Sequence, residues 1–218
     1  MATVTTVATR SRDHDSSAVT LHGRHPQFLI EKIVRIKIYE LAYWKEQCFA
    51  LNAESLVDRA VELKYIGGCY GGTRQPTPFL ALLLKMLQIA PELDIVLALI
   101  DAEEFKYMRI LGAVYLRLTA SALDVYTYLE PLLNDYRKIV TRVDSGDYVL
   151  SNIDSVIENL LRSEFFFNIS LPRIQVRHVL EDIGKLPPRY SLLNEDPELN
   201  LNGELDDEDD ESADAEEQ

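Results

Sequence analysis

The sequence has little of what catalysis, metal binding or secretion requires. Two cysteines, Cys48 and Cys69, stand among 218 residues. They make neither a metal-ligand spacing nor a disulfide framework, so free thiols in a reducing compartment are expected. Of the four histidines, His14, His22 and His25 lie at or before the expected start of the fold, and His178 sits between Arg177 and Val179. The sequence contains no His-Glu-x-x-His pair and no Gly-x-Ser-x-Gly elbow. The adjacent carboxylates Glu103-Glu104 and Glu181-Asp182 would not face one another on a helix. Cys48 has no nearby histidine in sequence to activate it. The reading is therefore of a non-enzyme with no catalytic residue, no cofactor and no metal ligand. No apolar run approaches the roughly 18 residues of a membrane span. The N-terminal "MATVTTVATRSRDHDSS" lacks the apolar core of a signal peptide. A soluble intracellular protein without membrane contact is the expectation.

Positive charge is missing from one end. The formal net charge is −14, yet thirteen of the 36 acidic residues fall within Glu195–Gln218, which contains no Lys or Arg. The remaining 23 acidic residues face 22 basic ones, so residues 1–194 are close to neutral. A block of like charge repels itself and stays unfolded. Residues 1–21 are Ser/Thr-rich and aperiodic. The domain reading is a disordered segment 1–21, a folded core 22–190 and a disordered acidic tail 191–218. A neutral core without zinc-finger spacing or an RNA-recognition signature argues against direct nucleic-acid binding.

Glycine is scarce but concentrated. Four of nine glycines are Gly67, Gly68, Gly71 and Gly72, which reads as a tight turn between two helices with glycine supplying positive φ. A phosphate-binding P-loop fails here, because Gly72 is followed by Thr73 and Arg74 instead of Lys and Ser or Thr. After the loop, Thr77 can cap a helix and Pro78 suits its first position. Leu80, Leu83, Leu84 and Leu87 follow at helical spacing, with Phe79, Leu82 and Met86 beside them. This helix is apolar on most sides and should lie at the centre of a bundle.

Helices are expected around it. One has Pro26 in its first turn and an apolar stripe of Phe28, Leu29, Ile33, Ile36 and Tyr39. Trp44, the single tryptophan, should be core. Asn52 should cap a helix through Leu63, and Pro91 should start another. "EFKYMRILGAVYLRLT" carries Gly112, which predicts a close helix–helix approach because an interior glycine otherwise costs about 1 kcal/mol. Ser121 should cap "ALDVYTYLEPLLNDYRKIV", and Pro131 should end or kink that helix. Residues 143–150 are the one hairpin-like piece, with too few partners to make a sheet. Asn152 or Asp154 should cap the next helix, Phe165–Phe167 should enter the core, and Pro172 should open a last helix that Gly184 ends. Asn168-Ile169-Ser170 reads as a chance glycosylation pattern. The fold class expected is all-α, a compact domain of about eight helices with one small hairpin.

Long ordered motifs carry a resemblance over roughly residues 22–183: "PQFLIEKIVRIKIYE" from Pro26, "YWKEQCF" from Tyr43, "GGCYGGTRQPTPFL" from Gly67, "LKMLQIAPELDIV" from Leu84, "EFKYMRILGAVYLRLT" from Glu104, "YLEPLLNDYRK" from Tyr128 and "LPRIQVRHVLE" from Leu171. Together they resemble the pre-mRNA-splicing factor 38 family. The resemblance implies a helical, non-enzymatic scaffold of the nucleus, associated with the tri-snRNP or precatalytic spliceosome and needed for spliceosome activation. It implies spliceosomal protein partners, one related to microfibrillar-associated protein 1 and one a zinc-finger component. Small nuclear RNAs would be held indirectly, with the protein a monomer within a larger complex; the alternative is a direct RNA-binding module of the same particle. Arg24-His25 stand where the family tends to have Thr-Asn, and the acidic tail departs from the Arg/Ser-rich tails of longer members. Partner contacts are expected from Tyr65, Tyr70 and Arg74 at the glycine loop, from Tyr107 and Arg109, and from Asp135, Tyr136 and Arg137, because Tyr and Arg are dense there beside turns and helix ends.

Overall fold

In the computed structural model of the protein, residues 26–189 are described. The expected disordered ends, 1–21 and 191–218, lie outside them. The chain divides into two compact units that part between Gln175 and Val176. In the first unit a 3₁₀ turn, Pro26–Leu29, leads to α1, Lys32–Glu40, a π-turn at Trp44–Cys48 and α2, Ala53–Val61. Strands β1 (Ile66–Gly67), β2 (Cys69–Tyr70) and β3 (Gln75–Pro76) follow, then α3, Pro78–Ile89. Three more helices are α4 (Leu93–Asp101), α5 (Lys106–Thr119) and α6 (Ala122–Leu129). After the 3₁₀ turn Glu130–Asn134 come β4 (Lys138–Arg142), β5 (Tyr148–Asn152), α7 (Ile153–Arg162), β6 (Phe165–Phe166) and β7 (Ile169–Ser170). The second unit holds α8, Arg177–Asp182.

The central helix is as its sequence predicts. The Thr77 hydroxyl accepts from Leu80 N at 3.4 Å and donates to Gly67 O at 2.6 Å, so one buried side chain both caps α3 and anchors β1. Phe79, Leu80, Leu83, Leu84 and Leu87 have no exposed surface. Asn52 caps α2 through Ser55 N, Ser121 caps α6 through Asp124 N, and α6 gives way to the 3₁₀ turn at Pro131. Asn152 occupies the cap of α7 without a side-chain hydrogen bond. Trp44 is core. A Cβ on Gly112 would meet Ile100 Cγ1 at 3.0 Å and Leu99 Cβ at 3.2 Å, so α5 does approach α4 closely there. Gly184, at φ 68°, ends α8, with its N–H on Glu181 O at 2.8 Å.

The all-α expectation is overturned by three small sheets. β1 pairs in parallel with β4, placing Ile66 beside Thr141, and β4 pairs antiparallel with β5, placing Arg142 beside Tyr148. β2 with β3, and β6 with β7, form two-residue ladders. A two-residue strand has no readable periodicity, and β1 gains its partner 75 residues away. Beyond Pro131, where the helix is expected to end or kink, the chain turns to strand at Lys138, where β-branched Ile139, Val140 and Thr141 fit a pleated surface. The hairpin is correspondingly longer than 143–150, and the glycine stretch is strand and tight turn instead of a simple link between helices.

Three further expectations need correction. The buried face of the first helix is Ile30, Val34 and Ile38, while Phe28, Ile33 and Ile36 are exposed. Two apolar stripes compete in "FLIEKIVRIKI", and the one spaced by four residues packs inward. We expect Ile38→Val to cost about 1 kcal/mol of stability and Ile33→Val to cost almost nothing. Urea midpoints of the two variants check this, and equal losses would contradict the packing. Pro172 opens no helix; residues 171–176 are irregular because side chains take their carbonyls. Arg117, buried in α5, donates from Nη1 to Pro172 O at 2.7 Å, and the Tyr126 hydroxyl donates to Gln175 O at 3.0 Å. Arg117 Nε also reaches Leu160 O at 2.8 Å, closing the C-terminal end of α7. Of the three phenylalanines expected in the core, Phe166 is buried, Phe167 is partly buried and Phe165 is exposed.

Candidate partner-binding surface

Two turns meet beside the glycine stretch. The β2–β3 turn is joined to the β4–β5 turn by Gly71 N donating to Asp144 O at 2.8 Å. Gly71 has φ 73°, and Arg74, at the far side of the turn, has φ 50°. Arg74 is exposed at the tip. Lys37 of α1 closes the other flank by donating to Thr73 O at 2.7 Å. The Tyr70 hydroxyl donates across the ladder to Gln75 Oε1 at 3.2 Å.

Arg142, at the end of β4, organises the tyrosines there. Its guanidinium carbon lies 3.4 Å from the Tyr70 ring centroid, 5.1 Å from that of Tyr148 and 5.9 Å from that of Tyr65. The Tyr65 and Tyr148 rings meet edge to face at 5.3 Å. Burial pushes the Tyr65 phenol above its ordinary range, and hydrogen bonding to Arg142 opposes this. Arg142 Nε donates to Gly146 O at 3.3 Å. Arg142 forms no ion pair among the described residues. Three half-exposed aromatic faces thus hold one cation that no carboxylate of the described chain neutralises, a combination typical of binding hot spots.

A second cluster lies toward the opposite end of β4. Asp135 accepts from Arg137 Nε at 2.8 Å, Arg137 Nη2 at 2.6 Å and Arg109 Nη1 at 2.7 Å. Arg109 Nε also donates to Ile100 O at 2.6 Å, and Arg137 Nη1 donates to Glu103 O. The side chains of Asp135 and Arg109 are each 11% exposed. Arg137 most of all, with Arg109 adding and burial opposing, lowers the Asp135 carboxyl to about 2. The cluster fastens the α4–α5 corner to the start of the hairpin, and it floors an open cleft of about 520 Å³ lined also by Tyr128 and Pro131.

The structure therefore brings Tyr65 and Tyr70 together, with Arg74 at the adjoining turn, and joins Arg109, Asp135 and Arg137 in one knot. Tyr107 belongs to the sheet: its hydroxyl accepts from Val140 N at 3.2 Å. Tyr136 stands alone, 69% exposed. Sequence reasoning missed Arg142 and Tyr148. They flank Asp144-Ser145-Gly146, a turn signal, and extending the hairpin by one pair upstream would have found them.

The comparisons place the chain in a family. Residues 19–184 match the model of the PRP38 family. Pre-mRNA-splicing factor 38A of Mus musculus is 56% identical over 179 residues, which is 82% of this chain and 57% of the mouse protein. The Homo sapiens counterpart is 55% identical with the same coverage. A chain in the crystal structure of the Snu23–Prp38–MFAP1(217–258) complex of Chaetomium thermophilum superposes with TM-score 0.76 at 40% identity, covering 84% of this chain and 95% of that one. The fold is one found in a multiprotein complex that contains Prp38. The chain belongs to the PRP38 family, a family of splicing factors. The match spans a little over half the length of these relatives.

Proposed function

We propose that this protein is a non-enzymatic scaffold of the spliceosome that works in the nucleus by docking other splicing proteins. The observation that carries the reading is the 40% identical, nearly full-length likeness to a chain solved in complex with Snu23 and an MFAP1 segment. Its partners are then the Snu23-like zinc-finger component and the MFAP1-like component, and its working stage is the tri-snRNP or precatalytic spliceosome, up to activation. Tyr65, Tyr70 and Arg74, joined by Arg142 and Tyr148, form the docking surface. Tyr136 contributes exposed aromatic area, and Tyr107, Arg109, Asp135 and Arg137 hold that part of the surface in shape. Aromatic and arginine anchors on a rigid frame suit such binding.

The test is reconstitution of the full chain with purified Snu23-like and MFAP1-like proteins of the same source. We expect a complex in gel filtration that survives ribonuclease, and binding weakened about tenfold by Tyr70→Ala with the melting temperature nearly unchanged. Complexes that dissolve on ribonuclease treatment, with steeply salt-dependent RNA binding, would move the reading to an RNA-binding module.

A further inference from the structure

The sheet has one edge that no described residue covers. In the order β1–β4–β5, β5 is terminal. Its register is fixed by pairs such as Val140 with Leu150 and Arg142 with Tyr148. The N–H of Val140 goes to the Tyr107 hydroxyl, away from β5, and the N–H of Val143 goes to Asp147 O at 3.0 Å. In an antiparallel ladder hydrogen-bonded and open pairs alternate. Val140–Leu150 and Arg142–Tyr148 are therefore open pairs, and the backbone N–H and C=O groups of Tyr148 and Leu150 point off the edge.

The two flanks of the β4–β5 hairpin are treated differently. On the far side of β4, β1 pairs with Thr141 and Arg142, Tyr107 takes Val140 N, and Lys106 Nζ donates to Lys138 O at 2.7 Å. At β5 no described residue plays that part. The strand "YVLSN" has no charge and no proline, the usual protections of an edge. Tyr148, Val149 and Leu150 are 56%, 48% and 61% exposed. Alternation puts Tyr148 and Leu150 on the same face as Arg142 and Val140, opposite buried Ile139. That face also carries the unneutralised guanidinium among the tyrosines.

We propose that β5 is a docking strand for an extended, acidic peptide segment of another protein. The segment adds to the sheet through the backbone groups of Tyr148 and Leu150, lays an apolar side chain against Leu150 and presents a carboxylate to Arg142. The open ladder selects an extended conformation. The cation selects the acidic residue, because a carboxylate pairs with a guanidinium that rings hold and no described carboxylate neutralises. A second copy of this chain fits less well: a five-residue strand supplies far less than the roughly 800 Å² per partner of a stable interface. A peptide that continues over Tyr65 and Tyr70 extends the contact.

The inference rests on the scaffold reading, and its test separates the two. The full chain is mixed in turn with the Snu23-like and the MFAP1-like proteins, and amide exchange is followed by NMR. With the partner that uses the edge, we expect the amides of Tyr148 and Leu150 to exchange at least about tenfold more slowly. Val149 and Ser151, bonded to β4, are slow already. Leu150→Glu, at an exposed site, and Arg142→Ala should each weaken that partner about tenfold. Leu150→Pro, which removes the outward N–H together with the leucine side chain and breaks no bond to β4, should do so if the variant keeps its fold. Binding without protection, and indifferent to Leu150→Glu, would overturn the edge proposal and leave the scaffold standing. Failure of both proteins to bind would overturn both. Self-association abolished by Leu150→Glu, or protection of these amides by RNA instead, would assign the edge to a second copy or to nucleic acid and also overturn it.

Discussion

Asp135→Ala should lower the free energy of unfolding by about 3 kcal/mol, the scale of removing one member of a largely buried charge cluster. The loss is large because the substitution strands two guanidinium groups. Asp135 accepts from both Arg109 and Arg137, and Arg109 is as buried as the carboxylate. Ordinary exposed ion pairs are worth about 1 kcal/mol or less; a loss of that size would show that water reaches the cluster and the knot contributes little. Urea unfolding at neutral pH measures the difference. Arg137→Ala in the Asp135→Ala background should cost less than in the native chain, because its partner is already gone.

The same carboxylate makes a pH prediction with a definite sign. The folded-state pKa of Asp135 is depressed to about 2, below the value near 4 of an unfolded aspartate. The unfolded chain therefore binds its proton first as pH falls. The stability that the cluster contributes is complete above about pH 4, declines below that, and is gone once pH passes through about 2. Asp135→Asn should flatten the acid limb of the stability curve over that window and leave the curve's shape near pH 7 unaltered. An unchanged acid limb would mean that the carboxylate is not held by its arginines.

Much of the helical frame was legible because its signals are local. Pro76-Thr77-Pro78 announced the start of α3, its leucines announced burial, and Gly112 announced the close crossing with α4. What escaped was non-local. β1 is two residues long and exists because β4 lies beside it, so no window of sequence contains the reason for it. The face of α1 was misread because apolar residues occupy two sides, and packing chose Ile30, Val34 and Ile38. Arg117 has the composition of a surface residue, yet it is buried to satisfy Leu160 O and Pro172 O, carbonyls 43 and 55 residues away. The candidate site followed the same division. Tyr65, Tyr70 and Arg74 lie close together in sequence and can be grouped from it; Arg142 and Tyr148 join them only across the strand pairing.

The glycine stretch gives the second large effect. Gly68→Ala should destabilise the protein by about 3 kcal/mol, the upper range of overpacking, and lower its melting temperature by about 8 °C. Neither positive φ nor turn formation is the reason, since among Gly67, Gly68, Gly71 and Gly72 a left-handed φ occurs at Gly71 alone. Gly68 is needed for close approach. A Cβ there would stand 2.6 Å from Asn168 Oδ1, 2.8 Å from Phe167 O and 2.9 Å from Phe167 C. Two of the three atoms are backbone, and that backbone is committed: Phe167 and Asn168 have φ 46° and 64°, a costly conformation for residues with side chains. The Phe167 ring packs on Phe79 and Phe166. Asn168 Oδ1 accepts from Cys69 N at 3.0 Å, so relief of the clash would also break the bond that aligns β2 and, through it, Tyr70. Gly72 is the control, because a Cβ there meets nothing within 4 Å; Gly72→Ala should be neutral or slightly stabilising. Thermal unfolding of the pair decides the matter. Equal, small shifts would show that the β6–β7 turn can move aside, whereas loss at Gly68 alone would show that this glycine ties the turn bearing Tyr70 and Arg74 to the core.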